Sequence, residues 1–572
     1  MASSDAELTL VSALSRLRRG PGRGFRFVTS KNEEHYYAYE AIEAEAHRRA
    51  AHLAALDLKK GDRLAIVVAE GDEFVMSFLG ACVAGIVPVP IYPRATFKGI
   101  EGYADTVAHI ARASGARVLL TMETTKPYVE PALTKDCGLE RIVLTEEVFA
   151  GPTPAFTAPT ITPDDLCFLQ FTSGSTNKPK GVVVTHANLV ANSTAFLGPA
   201  GLDRNDADVG VSWLPLFHDM GLIGFVLGTL ICDIPVVLLP TSTFARGPRI
   251  WLETIHKHRG TITYAPNFAY ALAVKRLKDR DLKELDLSCL RIAGCGAEPI
   301  HAQTMRDFAE RLAPAGFDPK ALLPSYGMAE ATLAITFHPR GTPLVTDLVD
   351  AEAMKSGEAR RVPAGTPGAL ELVANGVPFP DHEVKIVDVE TGAELSERRV
   401  GQITARGPSI TAGYFQNPEA TELGWKDGWL QTGDLGYFAE GALYICGRLK
   451  DLIIIHGANF YPQDLEWAVQ EIEGVRRGNV VAFSVIRDGV EQLVLAAEAN
   501  SGDVERLKKL LPERIYETAG LNTAYVAVVG VGTLPKTSSG KAQRLKTKQL
   551  YEAGLLAEHG SARATDGGEP ES

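Results

Sequence analysis

Phe171-Thr172-Ser173-Gly174-Ser175-Thr176-Asn177-Lys178-Pro179-Lys180-Gly181 is the stretch on which the fold turns. Before it, Leu166-Cys167-Phe168-Leu169-Gln170 is an apolar run that reads as a buried strand. After it, Val182-Val183-Val184 reads as a second, β-branched strand, with Thr185 as the cap of a helix from His186. A strand–loop–strand so rich in hydroxyls, small residues and lysines suits phosphate. Backbone N–H groups converge on an anion, and hydroxyl and ammonium groups add donors. A polar surface turn is the alternative reading of the loop alone. It is not a Walker A loop, because the place of that motif's second glycine holds Pro179.

Outward from the loop, helix-like stretches alternate with short apolar runs over most of the first 440 residues. Tyr39 to Leu56 and Phe74 to Ala84 are periodic and helical. Leu64 to Val68, Val118 to Thr121, Val236 to Leu239 and Leu290 to Ala293 read as strands. Ile86 to Tyr92 carries two prolines and reads as a sheet edge or an irregular segment. This alternation predicts an α/β protein with helix-covered sheets. Beyond Thr391 the texture becomes short strands and turns, with Glu440-Gly441 turning a hairpin. After Gly447-Arg448 a compact α+β pattern follows, with a helix opened by Pro462, and a domain boundary is placed near Lys450.

The whole chain sets bounds on this. Its 572 residues call for two or more domains. An apolar fraction of 45% and a mean hydropathy near zero describe a soluble globular protein. With 70 acids against 58 bases, the net charge of −12 gives no nucleic-acid footprint. Seven scattered cysteines without a CxxC pair fit reduced thiols in a cytoplasm. Gly221 to Cys232 is too short an apolar stretch to span a bilayer, and Met1 to Asp5 has no signal-peptide character. The segment 558–572 is expected to be a disordered tail.

Six further motifs carry chemistry. Trp213 to Leu222 places His218 and Asp219 among large apolar groups; a satisfied core histidine is the alternative. Gly294 to Pro299 follows a strand and precedes a helix, where α/β sheets bind ligands. Pro324 to Thr332 offers a ring able to stack on a base, Tyr326, and a carboxylate four residues on, Glu330. Thr432-Gly433-Asp434 and Gly447-Arg448 supply a carboxylate suited to a ribose hydroxyl pair and an arginine. Pro535 to Lys541 reads as an exposed loop with lysines.

Together and in this order these motifs resemble the AMP-forming, adenylate-making superfamily of acyl-CoA synthetases, peptide-synthetase adenylation domains and luciferases. The resemblance covers nearly the whole chain. Asn177 departs from it, standing where a glycine is usual. It implies a large N-terminal domain, residues 1–449, of two helix-covered sheets plus a small β subdomain near 376–447, and a small mobile α+β C-terminal lid, 450–557. It implies that ATP and Mg²⁺ are used. Thr172, Ser173, Gly174, Ser175, Thr176 and Lys180 would hold the phosphates. Gly296, Ala297, Glu298, Pro299, Ser325, Tyr326, Gly327, Met328 and Ala329 would border the adenine, and Asp434 and Arg448 the ribose. Ser175 and Glu330 would bind Mg²⁺, Lys450 would be the hinge, and Lys541, His218 and Glu330 would be catalytic.

Within the superfamily the chain resembles the fatty acyl-AMP ligases. Trp213 to Gly221, Ala265-Pro266-Asn267-Phe268-Ala269-Tyr270 and Asn459 to Glu466 look like that branch's motifs, and 333–375 resembles its insertion. Trp213, Asn267, Phe268 and Tyr270 would then border the acyl chain. The branch activates a fatty acid as acyl-adenylate, releasing pyrophosphate. It then transfers the acyl group to the phosphopantetheine thiol of an acyl carrier protein, or of a polyketide or peptide synthase carrier domain, here expected in trans. His456-Gly457-Ala458-Asn459 departs from the branch, in which a second basic residue is common, and leaves rejection of CoA open. A medium- or long-chain acyl-CoA synthetase is the nearest rival. An amino-acid-adenylating module and a non-catalytic acyl- or nucleotide-binding regulator are more distant ones.

Overall fold

The computed structural model describes residues 7–94, 100–172, 178–455, 457–487, 490–500, 503–537 and 540–559. The expected strands around the opening loop pair antiparallel as Leu166–Thr172 and Lys180–Thr185, with Thr172 opposite Lys180. Residues 173–177, between these two strands in the sequence, lie outside the described residues, and with them Ser173, Gly174, Ser175 and Thr176. Helix His186–Leu197 follows through a reciprocal cap: Thr185 Oγ1 accepts from the Asn188 N–H, and the Asn188 side chain accepts from the Thr185 N–H.

Two sheets flank this hairpin. One has nine strands, in the order Val377–Pro378, Ala334–Phe337, Leu322–Gly327, Ile292–Cys295, Ile262–Ala265, Gly210–Ser212, Val236–Leu238, Gly24–Val28 and Glu34–Ala38. Its run from Leu322–Gly327 to Gly24–Val28 is parallel, with antiparallel pairs only at the edges. The other has four parallel strands, Val87–Pro90, Arg63–Val67, Val118–Thr121 and Arg141–Leu144. Strands such as Ile262–Ala265 and Val118–Thr121 are buried throughout, as continuous apolar runs covered by helices on both faces must be. Pro88 and Pro90 lie on the edge strand, where a missing N–H is tolerated.

A five-stranded antiparallel sheet follows, built from Glu383–Val387, Gly401–Arg406, Trp425–Lys426, Trp429–Ala439 and Ala442–Arg448. Its last hairpin turns on Glu440 and Gly441 at φ 53 and 76, a two-residue loop that matches strand twist. The 333–375 stretch is structured. Thr346–Asp350 pairs with Ala369–Val373, and helix Ala351–Lys355 is capped by Asp350. Val349, Met354 and Leu372 pack against Tyr437, Tyr444 and Tyr461. Asp347, 2% exposed, accepts hydrogen bonds from the Tyr437 hydroxyl and from Arg398, each at 2.9 Å.

The last part of the chain has its own core. Strands Val475–Arg487, Val490–Ala499 and Thr523–Val529 form a sheet with helices Pro462–Gln470 and Val504–Ala519 on one face and Arg544–Glu552 on the other. Glu558 and His559, within the expected tail, make backbone contacts to the sheet. Glu558 bridges to Val529, and His559 donates its N–H to Val528 O at 3.0 Å, because the sheet edge still offers partners there. Residues 560–572 lie outside the described residues. Among those described, no helix is long and apolar enough to cross a membrane.

Candidate active site

The carboxyl ends of the parallel strands open on a cleft of about 2740 Å³, roofed by the last part of the chain. Here the turns after Gly210–Ser212, Ile262–Ala265 and Ile292–Cys295 meet the end of Leu322–Gly327, the position where α/β sheets bind ligands.

On one side lie the groups expected to hold a nucleoside. The Tyr326 hydroxyl donates to Asp434 Oδ2 at 2.8 Å, and Arg448 Nε stands 3.1 Å from Asp434 Oδ1. Hairpin register sets the second contact, since Asp434 and Arg448 are paired across the two strands. Burial, joined by the Asp434 charge, pushes the Tyr326 phenol well up, so it stays a donor. Gly296 is fixed by crowding: a Cβ there would stand 2.7 Å from Ser325 Oγ, which donates to Cys295 O. Ala297 follows at φ 70, a left-handed conformation uncommon away from glycine. Pro299, Gly327, Met328 and Ala329 line the same wall. Glu298 lines the cleft with them. Its Oε1 accepts from the Phe268 N–H at 2.8 Å, because that helix start needs an acceptor.

Deeper on this wall, Glu330 sits in the short turn Ala329–Ala331 and is 9% exposed. Its Oε1 accepts from the Tyr414 hydroxyl at 2.7 Å. Burial pushes its carboxyl up, and the Tyr414 hydrogen bond offsets this in part. Among the described residues no lysine, arginine or histidine makes an ion pair with it. Thr172 and Lys180, the last pair of the hairpin before its loop, line the cleft.

Where the two sides meet, His218 Nδ1 lies 2.5 Å from Asp219 Oδ1. Asp219 starts the helical segment Asp219–Leu222. Gly221 allows that segment to close on the chain before it, since a Cβ would stand 2.2 Å from Pro215 O. Lys541 enters from above. Its loop is closed by the Thr537 N–H to Lys541 O at 2.8 Å and the Lys541 N–H to Thr537 Oγ1 at 3.1 Å. Gly540, at φ 91, lies against the Phe268 ring, where a Cβ would stand 3.0 Å from Cζ. Burial pushes the Lys541 ammonium below the usual lysine range, and the Glu298 and Asp219 carboxylates oppose that. Burial also raises the Asp219 carboxyl, but His218 and Lys541 together hold it below the usual range. Lys450 is exposed in the turn Leu449–Asp451 that leads into the last part of the chain.

The other side is apolar. Trp213 stacks on Phe244 at 3.7 Å and meets Phe268 edge-on at 6.3 Å. Phe196, Phe225, Ile234, Leu333 and Phe337 also line the cleft. Asn267 lines the cleft and accepts from the His301 N–H at 3.1 Å. Tyr270 is a correction. It is fully buried, its hydroxyl donates to Gly294 O at 2.7 Å, and its ring packs on Phe308 at 4.8 Å. One turn into its helix it faces the core, and Tyr264 lines the cleft instead. Sequence reasoning also missed Tyr414. A lone tyrosine in a loop carries no local signal of a partner 84 positions away.

Residues 18–415 match the AMP-binding enzyme family. The chain is 39% identical over 532 residues to a Caulobacter vibrioides protein provisionally named acyl-CoA synthetase, covering 91% of each. It is 36% identical over 522 residues to the long-chain-fatty-acid–AMP ligase FadD26 of Mycobacterium marinum, covering 86% of this chain and 88% of that one. A solved structure from structural and functional studies of fatty acyl-adenylate ligases from E. coli and L. pneumophila superposes with a TM-score of 0.90. Its sequence is 34% identical, and the match covers 96% of this chain and 98% of that one.

Proposed function

Since the chain belongs to the AMP-binding enzyme family, we propose that it is a fatty acyl-AMP ligase which loads an acyl carrier protein. The observation that carries this reading is the convergence of Lys541 and the His218–Asp219 pair in one cleft lined both by Tyr326, Asp434 and Arg448 and by apolar side chains such as Phe196, Phe225 and Phe337. A carboxylate oxygen of the fatty acid attacks the α-phosphorus of ATP. The bond from that phosphorus to the bridging oxygen breaks, pyrophosphate leaves, and acyl-AMP remains. Two anions meet in this step, so a preorganised ammonium in the cleft stabilises the charge that builds up. Tyr326 offers its ring to the adenine, and Asp434 and Arg448 hold the ribose. Glu298 and Asp219 keep the Lys541 charge in place.

Glu330 fits a Mg²⁺ ligand: it is a buried hard oxygen donor whose Oε1 takes the neutral Tyr414 hydroxyl, and among the described residues it makes no ion pair. Ser175 is the second proposed ligand. A bound Mg²⁺ would neutralise phosphate charge. Among the described residues there is no group of three or more His, Cys, Asp or Glu that could hold a metal ion.

In the second step a phosphopantetheine thiolate attacks the acyl carbon, and AMP leaves with its bonding electrons. We infer that residues 450–559 turn about Lys450 between the steps. The insertion touches that unit: Lys355 donates to Ala519 O at 3.4 Å and lies over the Phe460 ring at 5.1 Å. The N-terminal side also holds it, through the paired Arg306–Glu371 contacts at 3.0 and 2.7 Å. Its position supports a part in choosing the acceptor. We place the reaction in the cytoplasm, where the seven free thiols stay reduced. The Caulobacter relative's name favours CoA as acceptor, and that is the second reading. Acyl-adenylate formation from ATP and fatty acids of graded length, scored by pyrophosphate release, tests the first step. A protein that releases pyrophosphate with amino acids and not with fatty acids would overturn it.

A further inference from the structure

Glu330 and Lys180 come from distant parts of the chain, and one segment, 409–415, holds both. Its backbone joins the strand after Lys180: the Val183 N–H donates to Gly413 O at 3.1 Å, and the Phe415 N–H donates to Gly181 O at 2.7 Å. The Thr411 N–H and hydroxyl both donate to the Glu330 carbonyl, each at 3.0 Å. Tyr414 meets both side chains. Its hydroxyl donates to Glu330 Oε1 at 2.7 Å, and Lys180 Nζ lies 4.9 Å from the centre of its ring. The ring is itself fixed, edge-on to Trp425 at 5.2 Å, while the Tyr414 N–H donates to Thr421 Oγ1 at 3.0 Å.

We propose that Tyr414 is a positioning residue that ties the metal-binding carboxylate to the phosphate-binding lysine. A hydroxyl on one carboxylate oxygen fixes the side-chain torsions and leaves the other oxygen to face a cation. A ring face under an ammonium restrains a flexible four-carbon stem. The same side chain therefore sets the separation of the two groups that must grip one metal–triphosphate. This rests on the functional reading above, in which Glu330 binds the metal and Lys180 the phosphates.

The test uses Mn²⁺ with α,β-methylene-ATP, followed by electron paramagnetic resonance, without fatty acid or acceptor. Tyr414→Phe keeps the ring and loses the hydroxyl. It weakens Mn²⁺ binding to the nucleotide complex about tenfold, leaves metal-free AMP binding within about twofold, and adds nothing further in a Glu330→Gln background. Tyr414→Leu additionally weakens the analogue itself, an effect absent in a Lys180→Ala background. Unchanged Mn²⁺ affinity in Tyr414→Phe, beside a loss of about tenfold in Glu330→Gln, overturns the proposal. So does an equal loss with and without Glu330. Wild-type protein that binds no nucleotide would overturn the functional reading, and this proposal with it.

Discussion

Asp434 takes a hydrogen bond from the Tyr326 hydroxyl at 2.8 Å, so the ring proposed to stack on the adenine also steadies the carboxylate proposed to bind the ribose. Asp434 is 6% exposed and its other oxygen faces Arg448 at 3.1 Å. Tyr326→Phe keeps the ring but frees the carboxylate, and is expected to raise KM for ATP about tenfold with kcat little changed. Asp434→Ala is expected to raise it by about a hundredfold. Steady-state kinetics at saturating fatty acid separates the two, and equal effects would detach the hydroxyl from the carboxylate's role.

Lys541→Ala is expected to slow acyl-adenylate formation by about 10²–10³ while leaving ATP affinity nearly intact. The working form is the ammonium, and burial lowers its pKa from the usual lysine value. The rate of the first step therefore falls as pH rises through a value below the usual lysine range. Glu298→Gln removes the carboxylate that most supports the ammonium, so the fall moves to lower pH. A fall displaced to higher pH in that variant would reverse the assigned sign.

His186 sets a pH limit on stability. It is 2% exposed, accepts from the Leu10 N–H at Nδ1, and burial pushes its pKa down to about 4. An unfolded histidine titrates near ~6.5, so between ~6.5 and ~4 the unfolded chain binds the extra proton. Its contribution is complete above ~6.5 and is lost as pH falls through the window, amounting to about 3 kcal/mol. Thermal unfolding of wild type and His186→Gln across this range checks it: the wild type should lose its advantage on acidification.

Much of the fold was legible because its signals are local. The apolar runs that became Ile292–Cys295 and Val118–Thr121, the Thr185 cap and the Glu440-Gly441 turn each depend on neighbours within a few positions. The cleft lining was legible where a motif brings its own turn, as at Tyr326 and Glu330. It was not where orientation is set at a distance. Tyr270 shares a stretch with Asn267 and Phe268, yet helical phase sends it into the core. Glu298 follows a cleft-lining turn but answers a helix start on another strand's loop. The contacts of Tyr414 with Glu330 and Lys180 exist only once three distant segments meet.

The most direct test of the account supplies the enzyme with ATP and fatty acid, then offers CoA and a phosphopantetheinylated carrier protein in equal amounts and follows the acyl group. The account predicts acyl-adenylate that is discharged onto the carrier, with little acyl-CoA. Robust acyl-CoA formation, with the carrier left unloaded, would contradict it.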